Sequence, residues 1–171
     1  FFFKQKTAYE IKECDWSSDV CSSDLFEGGC ILCATIEAEL VDGKRVLFSN
    51  DDVVAVSPYW AGAPYELLII PRSHDLHLTD SSAVTLKAMG MAIRDSLLAL
   101  REIHGDVAYN LVFHTAPHHY SGAYHWHVHL FPKLVTTAGF ERGTGVMINI
   151  VPPERSEEHT SELQSHSFIS Y

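Results

Sequence analysis

The chain has 171 residues, 46% of them hydrophobic, and carries 22 acidic against 12 basic side chains, a formal charge of −10. A surplus of acids with no basic stripe excludes a nucleic-acid surface, and no apolar run approaches the roughly 20 residues of a membrane span. The chain reads as soluble, with a cytoplasmic location expected, and an anionic small substrate would have to be held by local donors such as imidazoles and backbone N–H groups.

The two ends stand apart from what lies between them. Lys4 to Leu25 and Arg155 to His166 resemble the conceptual translation of a short-read sequencing adapter read on opposite strands. Residues 1–25 and 155–171 are therefore set aside as adapter-like or disordered and excluded from fold reasoning. Phe26 to Glu154 keeps eight basic and fourteen acidic residues, a formal charge of −6, and is long enough for one domain with a real core. Cys14 and Cys21 fall in the excluded part, which leaves Cys30 and Cys33. In a chain with no secretory signal, a Cys-x-x-Cys pair is more often a metal or redox device than a disulfide. A redox pair opens a helix in a βαβ unit, and the pattern here supplies none.

After Cys30-Ile31-Leu32-Cys33, residues 34–40 suit two helical turns, ended by Val41-Asp42-Gly43-Lys44. Residues 45–50 and 53–57 are β-rich runs split by Asn50-Asp51-Asp52, a hairpin pattern. Prolines and a glycine make 58–64 a loop; Tyr59 and Trp60, ahead of the apolar strand at 66–71, either stack on a base or are core, and their place before that strand favours core. Asp80 or Ser81 can cap a helix reaching His104, with Val84, Met89, Ile93, Leu97, Leu100 and Ile103 near a 3.6-residue stripe and Gly105 as its stop. Strands follow at 107–114 and 124–131, around a loop in which His118 and His119 read as solvated. A last β-rich piece runs from Gly143 to Val151. Antiparallel strands around one long helix give an α+β fold, the helix on one sheet face and the other face free.

His125-Trp126-His127-Val128-His129-Leu130-Phe131 carries the chemistry. In a strand the side chains alternate, so His125, His127 and His129 share one face while Trp126, Val128 and Leu130 take the other. An imidazole titrates near neutrality and serves as ligand, acid, base or nucleophile, so such a row points to a phosphate or a metal. Zinc takes four N or S ligands, and the Cys-x-x-Cys turn supplies two. His74, just after the strand at 66–71, and His125 are the candidates for the others, giving Cys30, Cys33, His74 and His125, with His77 as a nearby competitor. The alternative is a pair of reduced buried thiols with His74 on the surface.

Three features together resemble the histidine-triad superfamily: the Cys30-x-x-Cys33 knuckle, the Ile69-Ile70-Pro71-Arg72-Ser73-His74 run, and the alternating histidines at 125–129. Within it the segment is most similar to the galactose-1-phosphate uridylyltransferase family, in its carboxy-terminal repeat. His114-Thr115-Ala116-Pro117, Phe131-Pro132-Lys133-Leu134, the closing 138–145 stretch, Ile148-Asn149 and Pro152-Pro153-Glu154 carry that likeness. The resemblance implies a histidine-triad-like fold and movement of UMP between UDP-hexose and hexose-1-phosphate through a covalent nucleotidyl-histidine. It implies His127 as nucleophile, His129, His114 and Asn110 as substrate contacts, and zinc on Cys30, Cys33, His74 and His125. The implied partners are the two sugar phosphates and either a second copy or an amino-terminal repeat.

Where the family's nucleophile-bearing repeat has proline between its first two triad histidines and glutamine at the third, this chain has Trp126 and His129. Read as the second repeat, it leaves the nucleophile to the first, and His114, His127 and His129 then resemble a second metal or phosphate site. Two other readings stand beside these: a self-contained histidine-triad nucleotide hydrolase or phosphorylase, and a non-catalytic, zinc-stabilised half-domain.

Overall fold

The computed structural model describes residues 25–26, 29–120, 122–136 and 138–156. Of the segments set aside on their sequence, 1–24 and 157–171 lie outside the described residues. Two short antiparallel strands, β1 (Leu25–Phe26) and β2 (Gly29–Cys30), lead straight into helix α1 (Ile31–Asp42). Gly43 closes that helix at φ 71°, a conformation glycine adopts without a Cβ penalty, and its N–H donates to the Glu39 carbonyl.

The hairpin expected around Asn50 forms as β3 (Val46–Ser49) and β4 (Val53–Val56). The Asn50 side chain accepts the N–H groups of Asp52 and Val53 and so makes the turn itself. Next come β5 (Leu67–Pro71), a short 3-10 turn (Leu78–Asp80) and the long helix α2 (Ala83–His104). Ser82 caps α2 by accepting the Thr85 N–H at 3.0 Å. β6 (Tyr109–His114), β7 (His127–Pro132) and α3 (Gly139–Thr144) complete the elements. The five-stranded sheet has the order β3-β4-β5-β7-β6, every neighbouring pair antiparallel. β7 thus inserts between β5 and β6, at the middle of the core.

Each sheet face has its own packing. On one, Leu67, Ile69, Trp126, Val128 and Leu130 pack with Met89, Ala92 and Leu100 of α2. On the other, Val54, Val56, Leu68 and Ile70 pack under Leu32 and Ile36 of α1. Leu68 stands opposite His129, so the alternate residues of β7 that do not enter the α2 core lie on the α1 side. There Asn110, Val112 and His114 of β6 pair with Phe131, His129 and His127 of β7. No helix among the described residues is long and apolar enough to cross a membrane.

Four expectations change. The sheet face opposite α2 is not wholly free, because α1 covers its β4–β5 half. The expected stripe of α2 changes at one position: Met89 and Leu100 are buried and Ile93, Leu97 and Ile103 pack against the core, but Val84 is 64% exposed, and the small residues Ala92, Ser96 and Ala99 share the buried face. Residues 143–151 form no strand; they end α3 and continue irregularly, with the Ile148 N–H taken by the Glu141 carboxylate rather than by a ladder partner. Tyr59 and Trp60 lie at the surface, 52% and 37% exposed, on a loop that turns away from the sheet.

Candidate metal centre and imidazole row

Cys30 is the residue from which α1 starts, and Cys33 sits in its first turn, so the helix carries both thiols on one short stretch. His74 follows β5 by three residues and His125 precedes β7 by two. β5 and β7 are antiparallel neighbours, which brings the end of one beside the beginning of the other. The four donor atoms all lie within 4.8 Å of one another. Cys33 Sγ is 3.2 Å from His74 Nδ1 and 3.4 Å from His125 Nδ1. A tetrahedral zinc with ordinary Zn–S and Zn–N lengths places S and N ligands about 3.5 Å apart, so these separations suit the ion.

The chemistry of the donors fits as well. His125 Nε2 donates to the Pro71 carbonyl at 2.8 Å, which fixes the ring and leaves Nδ1 as the lone-pair nitrogen. Burial, and then the neighbouring Cys30 thiol, push the Cys33 thiol up to about 11, so without a cation it stays protonated. A cation removes that penalty by taking the thiolate. His77, the competitor for the ligand position, instead faces Thr115 Oγ1 at 3.3 Å.

The imidazole row begins where the Cys–His cluster ends. His125 lies just before β7, turned to the thiols, while His127 and His129 occupy the strand itself. His127 Nδ1 donates to the His125 carbonyl at 2.9 Å, which leaves Nε2 with its lone pair. His114 stacks on His127 with ring centroids 4.7 Å apart and meets His129 edge-on at 4.9 Å. Burial pushes the pKa of His127 down to about 4 and that of His129 down to about 3, and lowers that of His114. All three are neutral at pH 7, the form in which an imidazole can attack. His118 and His119 are exposed on their loop, as their polar context implied.

Asn110 lies on the same face two strand positions from Val112 and lines a cavity of about 130 Å³ together with Phe131, Lys133, Glu141 and Met147. Gly62 and Ala63 of the loop at 58–66 line it as well. Its buried Glu66 carboxylate, whose pKa burial raises, accepts the N–H groups of Gly62 and Ala63. Asn149 holds the loop from outside by donating to the Ala61 and Ala63 carbonyls. Sequence reading placed neither Glu66 nor Asn149 in a role; an acid at the head of an all-apolar strand was the available signal for Glu66.

The family model for the carboxy-terminal domain of galactose-1-phosphate uridyl transferase matches residues 3–166. The chain belongs to that family. It is 32% identical over 139 residues to an ADP-glucose phosphorylase of Arabidopsis thaliana, covering 78% of this chain and 38% of the relative. The crystal structure of an Arabidopsis ADP-glucose phosphorylase with bound ADP-glucose superposes with a TM-score of 0.68 at 31% identity, over 80% of this chain and 44% of that one. A uridylyltransferase structure superposes with a TM-score of 0.74 at 28% identity, over 81% of this chain and 46% of that one. A zinc-bound histidine-triad protein of Mycobacterium smegmatis shares the fold at 18% identity and TM-score 0.59, over 83% of this chain and 97% of that one. The chain therefore spans between a third and a half of the phosphorylase and uridylyltransferase relatives and nearly all of the histidine-triad protein. The histidine-triad-like α+β fold expected from the motifs is the one observed.

Proposed function

We propose that this chain, with residues 26–154 as its folded unit, is the carboxy-terminal repeat of a nucleotidyltransferase of the galactose-1-phosphate uridylyltransferase type. It acts on UDP-hexose and hexose-1-phosphate and passes UMP between them through a nucleotidyl-histidine. The observation that carries this reading is His127: its Nδ1–H is held by the His125 carbonyl, and its ring is neutral among His114 and His129 on a sheet face that α1 leaves open. Nε2 attacks the α-phosphorus, a P–N bond forms as the bond to the bridging oxygen breaks, and hexose-1-phosphate leaves with that oxygen. A second hexose-1-phosphate then attacks the same phosphorus and releases His127. His129 and His114 donate N–H groups to the phosphate oxygens, where charge builds in the transition state, and Asn110 contacts the sugar-phosphate end. Cys30, Cys33, His74 and His125 hold zinc, whose contribution is to fix the start of β7.

A second assignment of the nucleophile is favoured by a specific observation. The family match is to the carboxy-terminal domain, and Trp126 and His129 replace the proline and glutamine of the nucleophile-bearing repeat. In that assignment an amino-terminal repeat paired with this one supplies the nucleophile, while His114, His127 and His129 form a second metal or phosphate site. The free thiols of Cys30 and Cys33 and the nucleotide-sugar substrate support a cytoplasmic setting.

Incubation with UDP-glucose labelled in its α-phosphate decides between them. Acid-labile label on His127 of this chain supports the first assignment. Label that appears only in a two-repeat protein, outside these 171 residues, supports the second; no label in either overturns nucleotidyl transfer. Parallel incubation with ADP-glucose reads the base preference.

A further inference from the structure

His74 stands on an irregular stretch between β5 and the 3-10 turn and is itself exposed, yet its Nδ1 is held 3.2 Å from a thiol. What holds it lies on either side in sequence. Ahead of it, the Pro71 carbonyl accepts His125 Nε2–H at 2.8 Å. Behind it, the Asp75 carbonyl accepts the Trp126 N–H at 3.0 Å. Both clamps end on the pair 125–126, so the loop bearing one imidazole is fastened to the residues bearing the other.

The Asp75 side chain extends the second clamp. Ser81 Oγ–H donates to Asp75 Oδ2 at 2.6 Å, and Ser73 Oγ–H donates to the same oxygen at 2.7 Å. Ser81 Oγ in turn accepts the indole N–H of Trp126 at 2.8 Å. Trp126 is fully buried, and a buried indole needs an acceptor. Ser81 is free to serve as that acceptor because the α2 cap is made by Ser82. The result is an unbroken chain from the core, through Trp126, Ser81 and Asp75, to the residue adjoining His74. It ends in a carboxylate beside two imidazoles whose proposed occupant is a dication.

We propose that Trp126, Ser81 and Asp75 are positioning residues that set the metal affinity of the Cys30, Cys33, His74 and His125 site, by orienting His74 toward His125 and by adding one negative charge behind the ligands. This rests on the zinc reading above. Groups that orient ligands in this way are typically worth 10- to 100-fold in metal affinity.

The test uses the whole chain and zinc itself, measured by competition with a chromophoric chelator, and cobalt(II) substitution read by its visible absorption bands. Asp75→Asn is expected to weaken zinc binding 10- to 100-fold and to shift the cobalt bands, with the melting temperature of the metal-free protein unchanged. Ser81→Ala is expected to do the same to zinc and cobalt, with a fall in metal-free melting temperature from the unpaired Trp126 indole that is too small to account for the lost affinity. Ser81→Thr, which keeps the hydroxyl, is expected to restore both. Wild-type zinc affinity in Ser81→Ala and Asp75→Asn overturns the proposal, as does a fall in metal-free stability that accounts for the lost affinity. Cys33→Ser separates the two levels of inference. If the wild type binds zinc and Cys33→Ser does not, an unaffected Ser81→Ala counts against the positioning chain alone; if the wild type binds none, both fall.

Discussion

Replacing Arg45 by methionine is expected to destabilise the protein by about 3 to 5 kcal/mol, a cost set by the groups it leaves behind. The Arg45 side chain is 16% exposed, and its Nε lies 3.0 Å from both carboxylate oxygens of Glu39, whose side chain is 5% exposed. Its Nη1 reaches Glu154 at 2.9 Å and its Nη2 reaches Asp42 at 3.4 Å. Its Cζ lies 5.5 Å from the Tyr59 ring centroid. Methionine keeps much of the volume and removes the charge, so Glu39 is left buried without its cation, whereas Asp42 and Glu154, each about a third exposed, fall back on water. A loss of that size lowers the melting temperature by about 10 to 20 °C and the urea midpoint by roughly 2 M for a domain of this length. Glu39→Leu combined with Arg45→Met removes both buried charges and is expected to recover at least half of the loss. Equilibrium urea unfolding of the wild type, the single and the double variant reads this directly. A single-variant cost below about 1 kcal/mol, the worth of an exposed pair, refutes the reasoning, and so does a double variant no more stable than the single.

Replacing Cys33 by serine is expected to remove one equivalent of bound zinc per chain, read by elemental analysis of the purified protein. Stability is expected to fall as pH drops from about 6.5 toward 3. Burial depresses the His129 pKa to about 3 against an unfolded value near 6.5, so in that window the unfolded chain binds the proton and the native one does not. Urea midpoints at pH 7, 5 and 4 check the direction, and His129→Asn is expected to flatten the slope. Ile69→Ala, at a fully buried position under α2, is expected to cost about 2 to 5 kcal/mol by urea unfolding while leaving zinc content unchanged.

The parts of the fold that sequence alone reveals are those in which local pattern and tertiary environment agree. Alternation around residue 128 marks the faces of β7, Asn50 announces the hairpin, and Asp80 and Ser81 mark the start of α2 to within two residues, the cap itself being Ser82. The gathering of the four Cys and His side chains was legible because each sits at an element boundary that its own neighbours mark: a Cys-x-x-Cys pair opening a helix, a histidine after an apolar strand, and a histidine before another. The closing segment was not legible, since its valines and isoleucines have strand propensity but the side chains of Thr144, Glu141 and Asn149 take the N–H groups of Val146, Ile148 and Val151. Tyr59 and Trp60 misled for a related reason, because an aromatic pair beside an apolar strand packs inward only if the loop between them folds back, and here Glu66 and Asn149 hold that loop outward. The Trp126–Ser81 hydrogen bond joins residues 45 positions apart and follows no period, so nothing in the local pattern announces it.

The attachment of His125 on both sides bears on strand register. A slip of β7 by a single position against β5 exchanges its faces, sending the imidazoles into the α2 core and Trp126, Val128 and Leu130 out toward water. Hydrophobicity opposes such a slip along the whole strand, but the end of a strand is where registers start to creep. With Nε2 on the Pro71 carbonyl, Nδ1 toward the Cys33 thiol and its own carbonyl holding His127, this residue works as a stop at that end. The Cys–His cluster and the imidazole row thus act as a fastener and the pattern it keeps aligned.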